Sequence, residues 1–158
     1  MIKLFTSYYA NMKNIPSNYM MVGISRTCPE WLQVNQPSNF FWTKDNALAP
    51  PASLLSDMKS GKINEDEYRK RYVDHIHYIF SRGSVFNDFH DWYQMVSDEY
   101  EDKFDGIVFL CYEKPSDFCH RHILRDIINH EYKVRIDEFY YKDDQKSDKK
   151  EIKTNALF

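Results

Sequence analysis

The stretch Cys111-Tyr112-Glu113-Lys114-Pro115-Ser116-Asp117-Phe118-Cys119-His120-Arg121-His122 brings together the residue types that nucleophilic catalysis uses. Cys119 supplies a thiol, and Glu113 or His120 supplies a partner that can move a proton. Ser116 or Asp117 reads as the N-cap of a helix, which places Cys119 in its first turn. Unpaired N–H groups and the helix dipole stabilise a thiolate at that position, and Arg121 acts in the same direction. Cys111 ends an apolar run, where a cysteine serves either as a small core hydrophobe or as a second thiol of the site. A metal site would draw on Cys111, Cys119, His120 or His122, and Cys28. Their spacing matches neither a zinc finger nor a ribbon, so no metal and no cofactor is expected. Cys119 and Arg125 formally satisfy the phosphatase spacing, but no glycine loop lies between them to cradle a phosphate. No nucleophile elbow supports a serine triad.

These residues need a scaffold, and three apolar runs of strand length provide it: residues 2–6, 20–25 and 106–111. The third, GIVFLC, is continuous rather than alternating, as in a strand covered on both faces of a parallel sheet. Residues 132–137 (YKVRID) alternate and read as an edge strand. If the strands run parallel, their carboxyl ends converge, and ligands bind beyond such ends. Thr6 and Ser7, Ser25 and Arg26, and Cys111 and Tyr112 then meet in one crevice. Arg26 and Arg121 would hold a phosphate or carboxylate through their planar forks of donors. Thr6, Ser7, Ser25 and Tyr112 would orient the ligand.

Helices fill the intervals. Pro50-Pro51 opens one that Gly61 closes. Asn64 caps a longer one with Glu65, Asp66 and Glu67 in its first turn. Ser84 is expected to cap a third, with Val85, Phe86, Phe89, Trp92, Tyr93 and Val96 on one face. The last is expected over residues 117–129. Their aromatic stripes, Tyr68 and Tyr72 among them, read as core. Residues 35–49 form a long loop with Phe40, Phe41 and Trp42 in a row, read as a hydrophobic cluster over the sheet edge rather than a lid. The expected architecture is a single three-layer α/β domain over residues 1–141, with a small, mainly parallel sheet of about four or five strands. Residues 142–158 are a charged tail.

Composition narrows the function classes. The chain has 158 residues, 24 of them acidic against 21 basic, for a net charge of −3. Outside the tail the balance is 16 basic against 20 acidic, which disfavours non-specific binding to duplex nucleic acid. No run approaches the ~20 apolar residues of a membrane span, and no signal-peptide pattern opens the chain. Three cysteines are too few for a secreted disulfide scaffold, so a reducing cytoplasm is the expected compartment.

The block LCYEKPSDFCHRHIL at residues 110–124 resembles the diagnostic stretch of the family catalogued as domain of unknown function 488, found in bacteria, archaea and phages. Thr6-Ser7-Tyr8-Tyr9-Ala10, then Ile24-Ser25-Arg26 with Pro29 and Trp31, resemble its other blocks, and Leu48-Ala49-Pro50 is similar as well. The resemblance runs in order over residues 1–137 and implies a compact α/β domain, without supplying a reaction. Cys28 and the aromatic loop depart from the pattern. Richness in Tyr, Asn, Lys and Asp fits an AT-rich genome and a phage member. The leading expectation is an enzyme, or a degenerate one, for a small phosphorylated or nucleotide-like ligand. Its site would use Cys119, Glu113, His120 and Cys111, with Arg26 and Arg121 on the anion. A second expectation is a binding module without chemistry, such as a nucleotide sensor or a protein that sequesters a host factor. A third is nucleic-acid binding in a local groove, with Phe40, Phe41 and Trp42 as stacking platforms.

Overall fold

The computed structural model describes residues 1–81 and 87–139. Five strands, β1 (Lys3–Tyr8), β2 (Tyr19–Gly23), β3 (Phe40–Phe41), β4 (Gly106–Cys111) and β5 (Ile136–Glu138), form one sheet in the order β3-β2-β4-β1-β5. Every pairing is parallel. β4 lies at the centre between β1 and β2, which explains its unbroken apolar sequence: all of its residues are buried.

Alternation along the strands assigns the two faces. Ile2, Leu4, Met20, Ile107 and Phe109 face a core closed by α2 (Ala52–Lys59), α3 (Glu65–Ile79), α4 (Phe89–Tyr100) and α5 (His120–His130). Met21, Val108 and Leu110 face the other core. That core is closed by a 3-10 helix (Tyr9–Asn14), by Leu32 of α1 (Glu30–Val34), and by Phe40 and Cys28. The domain is therefore α/β with covering on both faces, the heavier layer on the side of α2–α5. Among the described residues no helix is long and apolar enough to cross a membrane.

Several boundaries follow the expected chemistry. Asn64 caps α3, its side chain accepting from Glu67 N–H at 2.9 Å, and Gly61 takes a left-handed φ of 75° in the turn after α2. Others differ. α4 starts at Phe89 under an Asp88 cap that accepts from Asp91 N–H at 2.9 Å, while Ser84, Val85 and Phe86 lie outside the described residues. The edge strand begins at Ile136 rather than at residue 132. Tyr132 is held instead against Phe89, rings stacked at 4.5 Å, and Lys133 turns the chain with a positive φ of 57°. α5 starts at His120, three residues later than expected, with Cys119 as its cap. The tail, residues 142–158, lies outside the described residues.

The aromatic loop divides as a satellite cluster would. Phe40 is buried, and half-buried Trp42 donates from Nε1 to the Ser25 carbonyl at 2.9 Å; only Phe41 is exposed. Gly23 is the position that allows this closure. A Cβ there would sit 2.6 Å from the Tyr9 hydroxyl and 2.9 Å from Trp42 Cδ1. Gly23→Ala is expected to destabilise the fold by about 1–3 kcal/mol through overpacking, read by urea unfolding. A change below about 0.5 kcal/mol would show that the loop gives way freely.

Candidate functional site

Parallel pairing sends the ends of β2 and β4 to the same side, and α5 begins there too. Between them lies a cavity of about 420 Å³. Ser25, Arg26 and Thr27 after β2, Cys111, Tyr112 and Glu113 at the end of β4, and Cys119 and His120 at the start of α5 line one part. Leu55, Met58 and Lys59 of α2, Tyr68 of α3, Pro50 and Phe118 line the rest. The cavity thus has an apolar side and a polar floor with two thiols, a common form for a small-molecule site.

The floor is built by local geometry. Cys119 is the cap residue of α5, with an extended backbone, and its sulfur accepts from Arg121 N–H at 3.5 Å. The helix dipole and this N–H both favour a negative sulfur. His120 Nε2 lies 2.8 Å from the Ile24 carbonyl, so it donates there and Nδ1 faces the sulfurs, a donor to a thiolate in the charged ring and a lone pair in the neutral one. That nitrogen lies 3.6 Å from Cys111 Sγ and 3.9 Å from Cys119 Sγ. Tyr72, wholly buried and donating to the Leu48 carbonyl at 2.7 Å, packs edge-on against the imidazole and holds its plane.

The two thiols divide their roles. The hydrogen bond from Cys111 lowers the Cys119 pKa to about 6, against burial and with help from the hydrogen bond and charge of His120. Cys111 is pushed far upward, first as the donor to Cys119, then by burial and the negative charges of Cys119 and Glu113. Cys119 therefore carries the charge of the pair and Cys111 the proton. Cys111 also approaches Glu113 Oε2 at 3.0 Å. Burial pushes the Glu113 carboxyl up, but hydrogen bonding from the thiol pair, which shares its proton with the carboxylate, outweighs it, and the net direction is down. Glu113 is an ionised carboxylate that can take a proton rather than supply one.

The remaining residues expected at the site separate into two groups. Ser25, Arg26 and Tyr112 line the cavity with the four reactive side chains. Ser25 is engaged on both sides, accepting from Tyr9 at 2.5 Å and donating to the Thr27 carbonyl at 2.7 Å. The Tyr112 hydroxyl meets the Thr27 carbonyl at 3.1 Å and its side chain at 3.0 Å, so both residues shape the loop that carries Arg26. Half-buried Arg26 makes no hydrogen bond or ion pair among the described residues.

Thr6, Ser7 and Arg121 do not line the cavity. Arg121 is wholly buried; it pairs with Glu138 at 2.9 Å, donates to the Glu113 carbonyl, and lies over the Tyr8 ring at 5.7 Å. Thr6 donates to the same Glu138 carboxylate. The expectation that Arg121 shares an anion with Arg26 is corrected: its fork is filled by the carboxylate of β5, so it fastens the Cys111–Glu113 turn to the sheet. Ser7 points to the opposite face, where it accepts from Asn11 at 3.0 Å. Cys28 belongs to the core on that face as well, and burial raises its pKa.

Sequence reasoning missed Glu138, Lys59, Phe118 and the cavity role of Tyr68. Tyr68 carries the helical spacing of a core stripe, and its ring does pack on Phe118 and Tyr72. Yet its hydroxyl has no hydrogen-bond partner among the described residues. Burial first, then the negative charge of Cys119, raises its pKa, so it remains a protonated donor at the cavity wall.

The fold and site together define a parallel α/β domain with a buried cysteine–histidine–glutamate constellation where strands end and a helix begins. A family model described as "Active DUF488-N3 subclade" matches residues 7–132. The chain belongs to this subclade of the domain of unknown function 488 family. No curated protein and no solved structure matches it.

Proposed function

We propose that this chain is a thiol-dependent enzyme acting on a small anionic substrate, phosphorylated or nucleotide-like. The observation that carries the reading is the Cys119 sulfur: it caps a helix, accepts from Arg121 N–H at 3.5 Å and lies 3.9 Å from His120 Nδ1, on the floor of a cavity whose Arg26 has no partner among the described residues. Arg26 takes the anionic group, and Leu55, Met58, Phe118 and Tyr68 take the apolar or planar part. Cys119 Sγ donates its electron pair to the electrophilic atom, and the leaving group departs with the broken bond's pair. The Cys111 thiol or the Tyr68 hydroxyl supplies the proton it needs. Water then releases the product, its proton passing to Glu113 or to His120 Nδ1, and Cys119 leaves as thiolate. The subclade's description as active agrees with this reading.

Binding is tested apart from chemistry at Arg26. Arg26→Ala is expected to change stability by less than about 0.5 kcal/mol, because Arg26 has no partner among the described residues. Millimolar phosphate or a nucleotide panel is expected to raise the wild-type melting temperature by about 3–6 °C at ten times Kd, and to leave the variant unmoved. If no anion shifts the wild-type melt, the anion site falls. If a ligand shifts the melt but is recovered unchanged after long incubation with the full chain, the protein is a binding module without chemistry.

A further inference from the structure

We propose that Cys111, Cys119 and His120 form a zinc site, and that zinc bound there takes the thiolate out of reach of substrate and holds the site off. Their three ligand atoms lie within 4.8 Å of one another and all three residues are buried. Tetrahedral zinc, with Zn–S near 2.3 Å and Zn–N near 2.0–2.1 Å, needs sulfur–nitrogen separations of about 3.6 Å. The observed separations to His120 Nδ1 are 3.6 Å from Cys111 and 3.9 Å from Cys119. Both sulfur–nitrogen separations therefore stand within a few tenths of an ångström of a tetrahedral site, and the two sulfurs lie within 4.8 Å of each other.

The support around the histidine points the same way. A zinc-bound imidazole commonly donates its other N–H to a carbonyl or carboxylate, which fixes the tautomer and raises the basicity of the ligating nitrogen. His120 does this through Nε2 to the Ile24 carbonyl, leaving Nδ1 aimed at the sulfurs. Three protein ligands leave a fourth position toward the cavity, where Glu113, 3.0 Å from Cys111 Sγ, or a water completes the tetrahedron. Soft thiolates with an imidazole select zinc over magnesium or calcium, which take oxygen ligands. The inhibitory half of the proposal rests on Cys119 being the nucleophile; the binding half does not.

The full chain, freed of metal by a chelator, is titrated with zinc against a chromophoric competitor and, separately, with cobalt(II) as a spectroscopic probe. One equivalent of each metal is expected to bind, and cobalt should show tetrahedral visible bands with thiolate-to-cobalt charge transfer in the near ultraviolet. Cys119→Ser, Cys111→Ser and His120→Ala should each lower zinc affinity by more than about a hundredfold, beyond the loss of a merely supporting contact. Cys28→Ser should bind as wild type. Should the variants fail to fold, the wild type decides alone: bound zinc must protect Cys119 from iodoacetamide, with the labelled peptides identified by mass spectrometry. Absence of the charge-transfer band, or an unprotected Cys119 at saturating zinc, overturns the site. If zinc binds but the metal-free Cys119 is unreactive, the site stands and the thiol mechanism falls. If Cys119 is reactive and no metal binds, the mechanism stands and the zinc site falls.

Discussion

Arg121→Ala is expected to lower stability by roughly 3–5 kcal/mol, a fall of about 6–20 °C in melting temperature for a chain of this size. The guanidinium is fully buried and its partner Glu138 has a side chain 2 % exposed. Truncation leaves that carboxylate in the interior with, among the described residues, Thr6 and Arg125, the latter no nearer than 3.9 Å, to answer it. It also releases the Glu113 carbonyl and with it the turn that holds the Cys111–Glu113 contact. Replacing both partners, Arg121→Met with Glu138→Leu, is expected to recover most of the loss, because an apolar pair of similar volume strands no charge. Thermal and urea unfolding of the three variants check this. A loss below about 1 kcal/mol in the single variant would mean that water reaches Glu138 and that the network is not structural. The contrast with Arg26→Ala, expected to be near neutral in stability, makes the two arginines separable in one series of melts.

The second large effect concerns Cys119. With its pKa lowered to about 6, its alkylation rate is expected to rise tenfold per pH unit below that value and to level off above it. At pH 6 about half of Cys119 is ionised, against roughly 0.3 % of an ordinary thiol of pKa ~8.5. Its lower basicity takes back about tenfold in nucleophilicity. A net advantage of about tenfold over an unperturbed thiol remains at pH 6. The margin over Cys28 and Cys111 is wider, since both are shifted upward. Iodoacetamide labelling of the metal-free protein across pH 4–9, resolved by peptide, measures it. His120→Ala should move the midpoint upward by removing a hydrogen bond and a charge that favour the thiolate. A midpoint near 8.5, equal labelling of the three cysteines, or no labelling before denaturation would return Cys119 to a packing role.

The residues that carry the site were legible because their signals are local. A continuous apolar run ending in Cys111, a short polar turn and an amphipathic stretch specify a strand, a turn and a helix, although the helix starts three residues later than expected, with Cys119 itself as the cap in place of Ser116 or Asp117. The parallel sheet, the α/β class and the caps at Asn64 and Gly61 are likewise written in short spacings. Even the place of Ser25 and Arg26 followed from one inference, that the second run is parallel to the third.

What remained illegible depends on contacts between distant segments. Arg26 and Arg121 look alike in the sequence, each beside a strand end or a helix start. Only the tertiary fold brings Glu138 of β5 under Arg121 and leaves Arg26 without a partner among the described residues. Thr6 and Ser7 are neighbours at the end of one run, but strand alternation sends one to the Arg121–Glu138 pair and the other to Asn11 on the far face. Tyr68 carries the spacing of a core residue, and nothing local tells that a cavity opens beside its hydroxyl. The spacing of Cys111 and Cys119 matches no metal motif, yet a strand end and a helix cap bring both sulfurs to one nitrogen. The sequence by itself determined which elements form and which side chains could react, because backbone propensity and hydrophobic period act within a few residues. The tertiary structure decided which of those side chains are spent on each other and which remain for a ligand. A buried charge or thiol takes its role from partners far away in the chain.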